Sequence, residues 1–366
     1  MNKRPAFSHI VQELPASVPF VPPEAIERQT GQKLKLRLGA NESSFGISPR
    51  AREAMQKAVE RASWYGDAEN YDLRQALARK FGVGMENVVI GSGIDELLGL
   101  TVRLFLNPGE TVVTSLGGYP TFDYHVEGYG GNIHYVPYQN GKNDLHGLIE
   151  AAKKTEARIV YLANPDNPTG TYHTAGDLKT FIEHIPADCL LLLDEAYVEF
   201  APQETVPPID PSNARVIRMR TFSKAYGMAG ARVGYAISEI ETIAAFNKIR
   251  NHFGINNIAQ AGALASLQDT DFVQNVVQGV AEGRREYEAL ANELGLSAFP
   301  SATNFVSIDL GSAERARRAV DALSEQGVFV RTPGKSPLNR YIRVTVGNPA
   351  ERAQFADIFR KVVKDL

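Results

Sequence analysis

Cysteine is almost absent from this chain: Cys189 is the single one among 366 residues. No internal disulfide can form. Cys189 abuts the apolar run Leu190-Leu191-Leu192-Leu193, where a thiol serves as a small buried apolar group. Excess basic charge is absent too. Thirty-nine Lys and Arg stand against 42 Asp and Glu, a formal net charge of −3, so no electrostatic footprint for nucleic acid is present. No apolar stretch approaches the roughly 18 residues of a spanning helix, and no membrane partner is expected. Met1-Asn2-Lys3-Arg4-Pro5 is not followed by the apolar core of a signal peptide, so the cytoplasm is the expected location. Internal repeats and low-complexity tracts are lacking. What is there is the composition of a globular enzyme, 43% hydrophobic and 22% charged. The chain is longer than one ordinary core supports, and two domains are expected.

Residues 1–33 contain Pro15, Pro19, Pro22 and Pro23 and read as an extended arm ending in a short helix. Leu34, Leu36 and Leu38 alternate onto one face of a short strand. Pro49–Ala62 and Tyr71–Phe81 carry helical spacing of apolar positions. Val88-Val89-Ile90 is a strand, turned by Gly91-Ser92-Gly93 into a helix over Asp95–Phe105. Strands over Thr111–Thr114, Ile133–Val136, Ile159–Leu162, Leu190–Asp194 and Val216–Arg220 then alternate with helices over Phe122–Gly128, Leu145–Lys153 and Asp177–Ile185. Such alternation predicts α/β architecture, a mostly parallel sheet with helices on both faces. Helical patterns follow over Glu239–Arg250 and Ile258–Leu267. The last hundred residues change character: a helix over Asp271–Leu294, strands at Phe305–Asp309, Val328–Arg331 and Tyr341–Val346, and helices over Ala313–Gln326 and Ala350–Val363. They read as a smaller α+β domain, against which the arm packs for want of a core of its own.

Polar clusters stand at the C-terminal ends of the buried strands. Ile159–Leu162 leads into Asn164-Pro165-Asp166-Asn167-Pro168-Thr169-Gly170. Leu190–Leu193 ends in Asp194-Glu195-Ala196-Tyr197. Val216–Arg220 leads into Thr221-Phe222-Ser223-Lys224-Ala225-Tyr226-Gly227-Met228-Ala229-Gly230-Ala231-Arg232. That edge is where open α/β sheets bind ligands. An amine, a carboxylate, a phenol, a carboxamide and a guanidinium converge there. The set meets the needs of pyridoxal 5′-phosphate: a lysine to condense with its aldehyde and an acid for its ring nitrogen. Lys224 is the lysine and the general base, and Asp194 is the acid. The bland reading of Asp194, a helix cap at a strand end, loses to its place thirty residues ahead of Lys224. For the phosphate, Gly93, Ile94 and Asp95 open a helix whose free N–H groups make an anion site, with Ser223 and Arg232 adding a hydroxyl and a guanidinium.

In this order and spacing the motifs resemble a fold-type-I pyridoxal-phosphate aminotransferase, and within that superfamily the histidinol-phosphate aminotransferase family. The likeness runs from about Phe20 to the C-terminus. It implies an aspartate-aminotransferase-like fold with a seven-stranded large-domain sheet, divided into an arm over 1–38, a large domain over 39–265 and a small domain over 266–366. It implies that Tyr197 and Asn167 hydrogen-bond the cofactor's phenolic oxygen, and that Phe122 stacks on its ring, with Tyr119 the second aromatic candidate. Tyr65, in Trp64-Tyr65-Gly66-Asp67, matches a tyrosine that reaches the phosphate from a neighbouring subunit, hence a homodimer. Arg343 and Arg331 are the matching anion clamp for substrate, with Asn304 beside them. An arginine inside an apolar strand is costly unless paired, which itself argues for an anionic ligand at Arg343. Asn164–Pro165 and Asn167–Pro168 are the candidates for cis bonds. The substrates implied are a small-molecule amino donor and a 2-oxo acid: glutamate/2-oxoglutarate, and histidinol phosphate with imidazole acetol phosphate.

Three departures bear on substrate. The family's Asn-Glu-Asn-Pro-Tyr-Gly is here Asn41-Glu42-Ser43-Ser44-Phe45-Gly46, its Arg-x-Pro-Phe is Arg250-Asn251-His252-Phe253, and its Tyr-Val-Pro-Gly is Phe20-Val21-Pro22-Pro23. Phe20 lines the substrate side without the usual hydroxyl, a loss of about 1–3 kcal/mol where a buried polar group goes unpaired. An aromatic amino acid aminotransferase therefore stands as the alternative, and a decarboxylase resembling the threonine-phosphate enzymes shares nearly all the cofactor residues. A cofactor-sensing regulator would need a DNA-binding module. Only about 35 residues precede the first domain, without a helix-turn-helix pattern.

Overall fold

Among the described residues, twelve strands in three sheets organise the chain. They are β1 (Leu36–Arg37), β2 (Val88–Gly91), β3 (Thr111–Ser115), β4 (Asn132–Val136), β5 (Ile159–Ala163), β6 (Leu190–Asp194), β7 (Val216–Thr221), β8 (Gly234–Ile237), β9 (Ser297–Ala298), β10 (Phe305–Asp309), β11 (Val328–Phe329) and β12 (Tyr341–Thr345). The computed structural model describes residues 4–16 and 21–366. The largest sheet has seven strands in the order β2-β8-β7-β6-β5-β3-β4. All its pairings are parallel except those of β8, which runs antiparallel to both β2 and β7. β8 escapes a sequence reading because it opens at Gly234, directly behind the Arg232 motif. A glycine is required there: a Cβ on Gly234 would stand 2.8 Å from the Gly93 carbonyl carbon and the Ile94 nitrogen.

The three central strands are buried along their whole length. That is why β5 and β6 read as continuous apolar runs rather than as alternation, while β7 buries Arg218 and Arg220 against Glu195. The alternation is nevertheless present in what they touch. Ile159, Tyr161, Ala163, Leu190 and Leu192 belong to the core on one face of the sheet, and Val160, Leu162, Leu191 and Leu193 to the core on the other. Period-2 geometry thus puts Tyr161, Ala163 and Asp194 on one face. On that face lies the helix Gly93–Phe105, and on the other the helices Leu145–Thr155 and Ala175–His184.

The C-terminal part builds an antiparallel sheet β12-β10-β9 against the helices Thr270–Glu293, Ala313–Glu325 and Pro349–Lys364. The last of these is well started. Pro349 occupies its first turn, and Asn348 and Glu351 form a reciprocal capping box. The N-terminal strand joins this part of the molecule: β1 pairs in parallel with β11, and the Thr345 amide donates to the Leu38 carbonyl at 2.8 Å. Both expected strands around these positions are shorter than the apolar pattern predicts, β1 at two residues and β11 at two.

Candidate active site

β5, β6 and β7 end at one edge of the large sheet, and the helix Gly93–Phe105 begins beside them. Between these ends lies a cleft of about 230 Å³, open to solvent on one side and lined by apolar walls with a few convergent polar groups, as small-molecule sites are. Of the residues singled out in the sequence, Ile94, Asp95, Tyr119, Asn167, Asp194, Tyr197, Ser223, Lys224 and Arg232 all line it.

Asp194 is the last residue of β6. Its carboxylate accepts from the Tyr161 hydroxyl at 2.7 Å and from the Ala196 amide at 2.9 Å. Burial pushes the carboxyl up to about 6 despite those donors, with the negative Asp95 and Glu195 adding to the rise. A cationic group placed against it would reverse that, because an opposite charge favours the carboxylate. Its neighbour Glu195 points to the opposite side and is held by Arg218 Nε at 3.0 Å and Arg220 Nε at 2.9 Å. The two adjacent acids are thereby given separate environments.

Lys224 donates from Nζ to the Asn41 carbonyl at 3.2 Å. Desolvation, with the positive Arg343 and Arg232 nearby, lowers its ammonium to about 8. An amine in that range is available as a nucleophile and base near neutral pH, which an ordinary lysine is not. Tyr197 is buried, and burial pushes its phenol up to about 12. Its oxygen accepts from Asn41 Nδ2 at 2.9 Å.

At the other end of the cleft Gly93 adopts φ +79°, and a Cβ there would meet Arg232 Nη2 at 2.3 Å. The missing side chain lets the guanidinium lie over the helix N-terminus. Arg232 Nη1 donates to the Ala229 carbonyl at 3.0 Å and the Ser223 hydroxyl at 3.4 Å, and Nη2 stands 3.4 Å from Asp95 Oδ2. Asp95 also accepts from the Tyr119 hydroxyl at 2.8 Å. Helix amides, a hydroxyl and a guanidinium around a side-chain-free position form an anion cradle.

Arg343 on β12 lies beside Asn167, which lines the cleft. Its Nη1 donates to Asn167 Oδ1 at 2.6 Å and its Nη2 to the Gly39 carbonyl at 3.2 Å, while Nε is buried with no hydrogen-bond partner. Among the described residues no carboxylate forms an ion pair with it. A half-buried guanidinium with a buried, unpartnered Nε and no acid beside it calls for an anionic ligand. Arg331 bridges to Arg343 through the backbone and donates to the Val21 carbonyl at 3.0 Å. Asn304 donates to the Asn41 carbonyl at 3.1 Å, and its Oδ1 is buried with no hydrogen-bond partner.

Four other expectations have different outcomes. Phe122 does not reach the cleft: it is fully buried and stacked on the far side of Tyr161, 4.5 Å between ring centroids. Pro120 opens the helix Pro120–Gly128, so Tyr119 precedes it and faces the cleft while Phe122 turns into the core. Tyr65 is 84% exposed and lies in a separate hollow with Trp64 and Asn257, its ring 4.8 Å from Phe253. Phe20 lies outside the described residues. Of the two Asn–Pro bonds, Asn164–Pro165 is cis and Asn167–Pro168 is not. Sequence reasoning passed over Tyr161, Asn41 and Thr221. Tyr161 left one signal, a hydroxyl in an otherwise aliphatic strand.

The residues fit pyridoxal 5′-phosphate: an amine at Lys224, an acid at Asp194 and an anion cradle at Gly93 and Arg232. Fold and site together define an aspartate-aminotransferase-like pyridoxal-phosphate enzyme. The chain belongs to the class I and II aminotransferases, whose family model matches residues 33–359. A crystal structure of histidinol-phosphate aminotransferase from Sinorhizobium meliloti in complex with pyridoxal-5′-phosphate is similar over 100% of this chain and 99% of its own, with a TM-score of 0.96 and 47% identity. Histidinol-phosphate aminotransferase 2 of Carboxydothermus hydrogenoformans is 34% identical over 360 residues, 97% of this chain and 99% of its own. An aspartate aminotransferase variant from Thermus thermophilus shares the fold at a TM-score of 0.82 and 23% identity.

Proposed function

We propose that this chain is a histidinol-phosphate aminotransferase, exchanging an amino group between glutamate/2-oxoglutarate and histidinol phosphate/imidazole acetol phosphate. The observation that carries the reading is Arg343, a half-buried guanidinium without an acid and with a fully buried, unpartnered Nε, set one hydrogen bond from a cleft that holds Lys224. One cation so placed can receive the phosphate of one substrate and the carboxylate of the other in turn. The full-length likeness to histidinol-phosphate aminotransferases supports the same substrate pair.

Pyridoxal 5′-phosphate supplies an electrophilic carbon and an electron-withdrawing ring. The chain supplies the rest. Gly93, Ser223 and Arg232 bind the phosphate. Asp194, fixed by Tyr161 and Ala196, presents a negative charge to the ring nitrogen. Tyr197 and Asn167 offer polar atoms to the phenolic oxygen. Lys224 accepts and returns the substrate's α-proton at Nζ, which its lowered proton affinity permits. Arg343 and Arg331 orient the acidic end of the substrate. We place the enzyme in the cytoplasm as a homodimer in which Tyr65 serves the partner's cleft. No helix among the described residues is long and apolar enough to cross a membrane.

The test is a half-reaction screen. Holoenzyme is mixed with histidinol phosphate, glutamate, phenylalanine or tyrosine, and the loss of the visible cofactor band is followed. Histidinol phosphate and glutamate are expected to be the efficient donors. A kcat/KM for histidinol phosphate far below that for phenylalanine or tyrosine would overturn the substrate assignment and leave an aromatic aminotransferase.

A further inference from the structure

Asn41 has no role in the site as described so far, yet it hydrogen-bonds Lys224, Tyr197 and Asn304 together. It is 2% exposed and sits at φ +54°, a left-handed conformation that Asn and Asp adopt most readily after Gly. Each of its polar groups has a partner. The amide donates to Thr345 Oγ1 at 3.0 Å. The carbonyl accepts from Lys224 Nζ at 3.2 Å and from Asn304 Nδ2 at 3.1 Å. Oδ1 accepts from Thr345 Oγ1 at 3.3 Å, and Nδ2 donates to the Tyr197 hydroxyl oxygen at 2.9 Å.

The direction of these bonds has a consequence for Tyr197. A carboxamide can be turned either way, but Thr345 decides it. The Thr345 hydroxyl receives the Asn41 amide, so its own proton goes to Oδ1. That leaves the NH₂ end facing Tyr197. The Tyr197 oxygen is then an acceptor toward Asn41, and its hydroxyl hydrogen must point elsewhere. Tyr197 lines the cleft, so the proton is turned toward the ligand's place.

We propose that Asn41 is the positioning residue of this active site: its carboxamide fixes the Tyr197 hydroxyl as a hydrogen-bond donor into the cleft, while its backbone carbonyl holds the Lys224 amine. The inference rests on the proposed placement of the cofactor's phenolic oxygen at Tyr197. It adds a residue from the start of the chain, braced by Thr345 of β12, to the cofactor end of the cleft, which is otherwise built on the large sheet.

The experiment follows the visible absorbance of the holoenzyme against pH, whose midpoint reports how well the phenolic oxygen is stabilised as an anion. Tyr197→Phe removes the donor and should raise that midpoint by about one unit or more. Asn41→Asp keeps the left-handed backbone but presents an acceptor, which turns the Tyr197 proton away from the cleft, and should raise the midpoint by a comparable amount. Asn41→Gly keeps the backbone carbonyl for Lys224, removes only the carboxamide, and should give a smaller rise. Combining Tyr197→Phe with Asn41→Gly should add nothing to Tyr197→Phe alone, because Asn41 acts through Tyr197. A midpoint moved by Tyr197→Phe but by neither Asn41 variant would overturn the inference. So would additive shifts in the double variant. A midpoint unmoved by Tyr197→Phe would instead remove the cofactor placement on which the inference stands. Borohydride trapping at Lys224, retained in each variant, shows that the cleft has folded.

Discussion

Asp194, Lys224 and Tyr197 are all held away from their ordinary proton affinities, and Lys224 is the most consequential. Its ammonium falls from the usual 10.5 to about 8, because the folded cleft disfavours the charged form. Protonation of Lys224 therefore opposes folding of the cofactor-free protein. Below about pH 8 folded and unfolded chains both carry the proton, and the cost, about 3 kcal/mol, is fully present. Between about 8 and 10.5 the folded state releases it first, and stability rises with pH. Denaturant titrations of the apoenzyme should show that rise, and Lys224→Met should lack it and be the more stable protein at pH 7. Equal pH profiles for the two would mean that Lys224 is not desolvated. In the loaded enzyme, borohydride reduction and peptide mapping should label Lys224 alone, and Lys224→Ala should lose nearly all turnover. Arg343→Ala should raise the KM of both glutamate and histidinol phosphate about tenfold to a hundredfold, the worth of a charge-assisted hydrogen bond. An effect on one partner only would refute a shared clamp.

Among the elements, the pairing of β8 with the helix Gly93–Phe105 decides how closely backbone can approach the phosphate site. Gly234 faces backbone atoms of Gly93 and Ile94, which cannot swing aside as a side chain would. Gly234→Ala should therefore destabilise the protein by about 1–3 kcal/mol and weaken cofactor binding, read as a lower denaturant midpoint and a higher dissociation constant. Unchanged cofactor affinity would separate β8 from the cradle. This contact was invisible in the sequence, because it joins residues 234 and 93 through an antiparallel strand only four residues long that opens on the glycine itself. The strand ends β5, β6 and β7 were legible for the opposite reason. β5 and β6 are short apolar runs followed at once by polar residues, the pattern of a buried strand meeting a ligand edge, while β7, interrupted by Arg218 and Arg220, is legible through the Ser223–Arg232 motif that follows it. Asn41 could be quoted as part of a motif but given no role, since its partners lie 156 and 304 positions away. Phe122 was placed at the cleft by likeness, and the helix opening at Pro120 turned it inward.

At the scale of the whole molecule, the cleft of one chain is a site lacking one expected contributor. Tyr65 lies outside it, 84% exposed, beside Trp64 at 69% and Phe253 at 53%. Exposed aromatics gathered in this way mark a surface that meets another protein. In an isologous dimer the same surface is used by both subunits, so each Tyr65 would be offered to the other's cleft. Sedimentation should find a dimer at assay concentrations, but the sharper test uses two inactive parents. Lys224→Ala lacks its amine in every cleft, and Tyr65→Ala lacks the hydroxyl that each subunit lends. In a hybrid dimer one cleft carries both defects. The other has Lys224 of its own subunit and Tyr65 from the Lys224→Ala subunit, and is intact. Random reassortment of equal amounts makes half the dimers hybrid, so about a quarter of all clefts should be wild type. Mixing, mild dissociation and reassociation should therefore restore about a quarter of wild-type turnover to parents that have little. Activity no greater than the mean of the two parents would show that Tyr65 serves its own chain or no cleft at all, and would end the shared-site dimer.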